Sequence, residues 1–356
     1  MNILNQPTAE QMDVQNTILA GIASQLGGIA VESFADMQRI NRMGLGKKMF
    51  TVGDQILTTY NSAPTIMNVI AIDHPDLTPV DPRFTHTIVL QPQDCLFNAQ
   101  FSAPQAMYNA VTELAVGTHI FTTDGIQYTF DTTVAVPAGG VIVIATRSDY
   151  VPLTVTTLEA DRVTPVESGM AVTTVTGTDT LTSINDHIRC RYGSNNPVDN
   201  AVRQFLNSSD AVFNWEPQGL YDMPSSYAGT GGFLYQLDPE LVAVMGEVEN
   251  KVALASYDGG GQVTVQDKAF LLSRVEVGLG TEGDTTGESV YEFYDGVTDA
   301  DRIKLLSGSP RHWWLRSPYV SSTHLVRYIG TSGGLGGSGA IGALNAYGLS
   351  PACVIV

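Results

Sequence analysis

Three hydrophobic rhythms follow one another along the chain. Between residues 8 and 46 apolar residues recur every three or four positions: Val14, Ile18, Ile22 and Leu26, then Phe34, Met37 and Ile40. That spacing places them on one face of a helix. Pro7-Thr8 followed by Glu10 and Gln11 reads as a helix start, and Gly27-Gly28 as a break. From Phe50 to about Ser183 the rhythm changes to alternation and β-branched runs, as in TVGDQILTTY, THTIVLQPQ, HIFTTDGIQYTF and VIVIAT. Such runs, separated by Gly, Pro, Asn and Asp, predict strands. Thr123-Asp124-Gly125 predicts a hairpin turn, PAGG at 137–140 another turn, and Ala103–Leu114 a short helix. From about Ile184 short helices and strands mix. Val198, Val202, Phe205 and Leu206 predict a helix capped by Asp199 or Asn200 and ending near Asn207-Ser208. The chain closes on bulky WWLRSP (313–318), a run of small residues, and apolar LSPACVIV (349–356).

These rhythms predict an α+β protein in three parts. Residues 1–46 form a helical arm, 47–185 a β-sandwich or β-barrel module, and 186–356 a C-terminal α+β domain with much irregular structure. The arm carries the local basic cluster Arg39, Arg42, Lys47 and Lys48. It is expected either to dock on another subunit in assembly and attachment or to pack on its own body.

Charge and cysteine content narrow the function classes. Charged residues are only 15% of the 356, well below the usual quarter, so no charge block exists to form a disordered tail. With 18 basic against 36 acidic residues the net charge is −18, which excludes a basic stripe for phosphates; no nucleic-acid partner is expected. The first residues lack a basic and apolar leader, and no apolar run is long enough for a bilayer, so neither secretion nor membrane insertion is expected. Cys95, Cys190 and Cys353 are far apart and read as small buried hydrophobes. His74, His86 and His119 have no His or Cys neighbour at ligand spacing. No metal and no cofactor is expected.

Several stretches carry a resemblance. RYGSNNPVDNAVRQFLNS, FLLSR, WWLRSP, the run of small residues and LSPACVIV together resemble a phage and bacterial domain built around WLRS. That domain is similar to the C-type lectin fold of variable proteins served by diversity-generating retroelements, the class of the phage major tropism determinant. PTAEQM, MQRINRMGLGKKMFTVGDQI and LQPQDCLFNAQFSAP resemble the N-terminal parts of related phage proteins.

The resemblance implies a non-enzymatic receptor-binding protein, an adhesin that displays a changeable surface on a C-type-lectin-like scaffold for host attachment. Its implied partners are a host cell-surface receptor, protein or glycan, its own copies in a homotrimer, and other virion proteins through residues 1–46. The implied location is the virion surface or, alternatively, a bacterial cell surface. Trp313, Trp314, Leu315, Arg316, Pro318, Pro351 and Val354 would be scaffold, and a segment at about 319–349 would be variable. Retroelement mutagenesis alters adenines, commonly in AAC and AAT codons. Randomising both adenines never yields Lys, Glu, Gln, Met or Trp, and Tyr319–Leu349 contains none of them.

Energetics sort this segment into inward and outward positions. Truncating a buried aliphatic side chain costs about 2–5 kcal/mol. Surface changes stay within roughly 0.5 kcal/mol. Variation is therefore tolerable only on exposed side chains of a fixed backbone. Tyr319, Ser321, Thr323, His324, Arg327, Tyr328, Ser332, Leu335, Ser338, Ile341, Asn345 and Tyr347 are the expected outward, ligand-binding positions, and Val326, Ile329 and Leu344 the expected inward ones.

Three alternatives stand beside this expectation. One is a structural virion decoration or fibre protein with no receptor role. Another is a calcium-dependent sugar lectin, for which Glu216-Pro217-Gln218 and Asn196-Pro197 are only partial counterparts of the motifs required, and no Trp-Asn-Asp exists. The last is an oxidase of the same fold class using a cysteine pair. Cys190 between Arg189 and Arg191 and Cys353 lack its local signature.

Overall fold

The computed structural model of the chain describes residues 33–102, 106–109, 112–113, 115–123, 126–132, 135, 138, 141–146, 152–158, 165–170, 172–177, 194–198, 200–213, 227, 229–322, 324–336, 341–342 and 346–356. The architecture is mixed α+β, with most regular structure in sheets and few, short helices. Ten strands frame the C-terminal segment: β1 (Gln55–Tyr60), β2 (Ala63–Ile72), β3 (Ile88–Pro92), β4 (Phe97–Gln100), β5 (Ala269–Phe270), β6 (Trp313–Pro318), β7 (Leu325–Ile329), β8 (Ile341–Gly342), β9 (Ala346–Leu349) and β10 (Ala352–Ile355). They build two five-stranded sheets, ordered β1-β2-β3-β10-β5 and β8-β7-β6-β9-β4.

Both sheets interleave the two ends of the described chain. Val354 pairs with Val89 and Ile355 with Ile88, while Tyr347 pairs with Ala99 and Leu349 with Phe97. The expected division at 185/186 is thus crossed, because residues 55–100 share sheets with strands from 269–270 and 313–355. The strands between Ala106 and Gly177 form separate open sheets of four and three strands. No barrel closes among the described residues, so the barrel expectation is corrected to open sheets.

Two-sided burial explains the unbroken apolar runs. Val69, Ile72, Ile88, Leu90, Cys353 and Ile355 face one core, which also receives Trp314, Val326 and Tyr328. Ile70, Ala71, Val89, Ala352 and Val354 face a second core with Trp313, Leu315 and Ile329. Successive residues of a strand point to opposite faces, so a strand apolar at every position must be covered on both. PACVIV and the Trp313-Trp314 doublet meet that condition.

Short helices close the first core. Asn200 caps Ala201–Leu206 by accepting from the Arg203 amide at 2.8 Å, and Val202, Phe205 and Leu206 are buried beneath it. Ser33 caps Phe34–Arg42 by accepting from the Asp36 amide at 3.1 Å. Phe34, Met37 and Ile40 are buried in the chain's own body. At the end of this helix the buried Asn41 amide donates to the Ile355 carbonyl at 3.2 Å and to that of His86 at 2.9 Å. For residues 33–46 the own-body alternative holds: this helix is bolted to β10.

The short helix expected over Ala103–Leu114 is corrected as well, since Ala106–Asn109 is a strand paired with Val141–Thr146. Sheet pairing outweighs the weak local preference there. Thr123 does pair with Ile126. Residues 1–32, Asp124, Gly125, Asp199, Cys190 with its flanking arginines, and Glu216-Pro217-Gln218 lie outside the described residues. Among the described residues, no helix is long and apolar enough to cross a membrane.

Candidate functional site

WWLRSP forms β6, and every apolar side chain in it is buried. The two indoles satisfy their N–H groups on backbone, Trp313 Nε1 donating to the Arg302 carbonyl at 3.1 Å and Trp314 Nε1 to that of Ala99 at 2.9 Å. Arg316 is buried against Glu276, with contacts of 2.5 and 2.7 Å, and also donates to the Leu271 carbonyl at 2.9 Å. Charge inside a core persists only when paired in this way. Pro318, Pro351 and Val354 are buried too, so all seven expected scaffold residues lie in the interior.

After β6 the chain turns through 319–324 into β7. Side chains from elsewhere fix this turn. The Asn195 amide donates to the carbonyls of Ser322 at 2.8 Å, Leu325 at 3.0 Å and Tyr319 at 3.4 Å. Ser322 Oγ accepts from the amides of His324 and Leu325, both at 3.2 Å. Glu282 lies against the turn as the shared anion of two cations, with Arg274 Nη1 at 3.0 Å and Arg327 Nη2 at 2.6 Å; Arg327 Nε also contacts it. The Arg327 guanidinium sits 4.4 Å from the Tyr319 ring centroid. Sequence reasoning missed Asn195 and Glu282. Asn195 carried only the Asn-Pro step that follows it as a signal, and Glu282 carried none.

Two expected outward residues are corrected. Arg327 is 6% exposed and Tyr328 7%, so neither is a display position. The reason is coverage of β7 on both faces: Tyr328 enters the first core beside Trp314, and the 274–282 loop closes over Arg327. Val326 and Ile329 are fully buried. Ser321 and Ser332 are exposed, and Tyr319, His324, Leu335 and Tyr347 are half-buried. Ile341 is described only as strand backbone, and Thr323, Ser338, Leu344 and Asn345 lie outside the described residues. Among the described residues, the accessible part of the segment is thus the 319–324 turn, the 331–335 turn and Ala346-Tyr347.

Tyr347 joins these surfaces to an aromatic cluster. Its ring centroid is 4.8 Å from those of His312 and Trp314 and 4.9 Å from that of Tyr328. Partial burial, helped by Tyr328, raises the Tyr347 hydroxyl pKa. Partial burial and the adjacent Arg311 lower that of the His312 imidazole, favouring its neutral form.

The glycines of the segment are not filler. Gly333 has φ +84°, and a Cβ there would collide with the Asp299 carbonyl; one on Gly336 would collide with the Tyr328 ring. Gly333→Ala should cost about 3 kcal/mol in a urea unfolding titration, from left-handed strain and overpacking. Ser332→Ala, one residue away, should stay within roughly 0.5 kcal/mol.

No group of three or more His, Cys, Asp or Glu is placed to hold a metal among the described residues. Burial pushes the thiols of Cys95 and Cys353 up to about 12, which keeps them protonated and unreactive. What the region offers is a backbone fixed from behind and a few accessible side chains in front. Comparison with curated proteins gives no match, and neither does comparison with solved structures. Residues 175–356 match the family described as a domain of unknown function, DUF6273, and the chain belongs to that family.

Proposed function

We propose that the chain is a non-enzymatic binding protein whose C-terminal segment presents changeable side chains on a C-type-lectin-like scaffold. One observation carries this reading. The 319–324 turn is held by Asn195 through backbone carbonyls, so the shape of the turn does not depend on its own exposed side chains. Ser321 and Ser332 can then change at little cost in stability. Half-buried Tyr319, His324 and Tyr347 supply the aromatic and amphipathic groups that anchor binding surfaces. The corresponding role is that of a receptor-binding adhesin on a virion or bacterial surface, assembled as a homotrimer that gains avidity from several copies.

Sequencing the gene across the population that carries it tests this proposal. Amino-acid replacements should gather at Tyr319, Ser321, His324, Ser332 and Tyr347 and spare Asn195, Glu282, Arg316 and Gly333. Replacements spread evenly along the chain would overturn it.

A further inference from the structure

An open cleft lies beside β1. Phe34, Met37, Phe50, Ile56 and Leu57 give it an apolar side, and Asp54, Asp238 and Glu240 also line it. Strand β1 is the edge of its sheet. The far end of that edge is covered, because the Asp238 amide donates to the Thr59 carbonyl at 3.0 Å and the Asn61 amide to that of Gln236 at 2.7 Å. Backbone groups alternate sides along a strand, so Gln55 and Leu57 point the same way as Thr59. No described residue pairs with the backbone groups on that side of Gln55 and Leu57. The Leu57 side chain is 71% exposed, and its cross-strand neighbour Ile66 is exposed as well. An open edge carrying exposed aliphatic residues is a site of association unless something covers it.

The chain itself arrives at this place. Ser33 and Phe34 line the cleft, and 32 residues precede Ser33. That segment contains no Lys or Arg, carries acids only at Glu10, Asp13 and Glu32, and has an apolar stripe at Val14, Ile18, Ile22 and Leu26. Gly27-Gly28 stands between the stripe and Ser33, where the chain can reverse. A segment tethered at the mouth of a groove has a millimolar-scale effective concentration there.

We propose that the cleft beside β1 is the seat of the chain's own residues 1–32, whose apolar stripe covers Ile56 and Leu57 and shields the open edge of β1. Hydrogen exchange on the full-length chain tests this in both directions. Ile18→Asp combined with Ile22→Asp should speed exchange at the Gln55 and Leu57 amides about 10-fold or more, while Val89 and Val354 in the sheet centre stay protected. Leu57→Asp, at an exposed side chain, should speed exchange across residues 10–26 by a similar factor; this arm reports even if the double variant unfolds. Protection of the wild-type chain should be unchanged on dilution. Unchanged exchange at the opposite partner in either variant overturns the proposal. Loss of protection on dilution also overturns it, by showing that a second copy fills the cleft.

Discussion

Arg316→Met should destabilise the chain by about 3–5 kcal/mol, the usual cost of stranding one member of a buried ion pair. The Glu276 side chain is 5% exposed and that of Arg316 8%, so water cannot replace the lost partner. Without the guanidinium the carboxylate keeps the Ser273 amide at 2.7 Å, one donor where there were three. Arg316 also donates to the carbonyls of Leu271 and Lys251, so its removal loosens the loop entering 272–277 and the strand Val248–Ala253. Chemical denaturation of the variant measures the cost. Adding Glu276→Met to Arg316→Met should recover most of the loss, since an apolar pair of similar volume carries no desolvation penalty. A loss under 1 kcal/mol, the range of an exposed pair, would show that the site is wet and that Arg316 is not a scaffold residue.

The sequence displayed some of this design and hid the rest for physical reasons. The helix over Ala201–Leu206 was legible because its signals are local: an Asn200 cap, then Val202, Phe205 and Leu206 at helical spacing. β10 was legible as a continuous apolar run. The burial of Arg327 and Tyr328 was not. LVRYI sets Arg327 and Tyr328 on opposite faces: Tyr328 enters the core beside Trp314, and only the 274–282 loop, some 45 residues upstream, covers Arg327. Asn195 reaches the 319–325 turn from well over a hundred residues away, and no local pattern encodes such a pairing. The same limit hid the joining of residues 55–100 to the C-terminal strands. Residues 55–177 read as β apart from the short helix expected at Ala103–Leu114, yet the strands up to Gln100 belong to sheets shared with the end of the chain and those from Ala106 onward do not.

Glu282→Ala should cost about 3–5 kcal/mol, and its effect should centre on the turn that carries the proposed display positions. Glu282 is the carboxylate that Arg274 and Arg327 share, with side chains 10%, 22% and 8% exposed. Its removal leaves two guanidiniums facing each other, one of them buried. Arg327 then loses the anion that holds it over the Tyr319 ring, and the Val320 amide loses its acceptor at 3.4 Å. Glu282→Gln keeps the shape and one acceptor oxygen but removes the charge, so it should fall between wild type and Glu282→Ala. Arg327→Met on the Glu282→Ala background relieves the stranded charge; the resulting double-mutant cycle should give a coupling energy of about 1–3 kcal/mol. Hydrogen exchange should quicken at the amides of 319–325 before it quickens in β6, because the turn would then be held only from the Asn195 and Ser322 side. Coupling near zero would mean that Glu282 and Arg327 act separately, and the turn would have to draw its fixed shape from Asn195 and Ser322 alone.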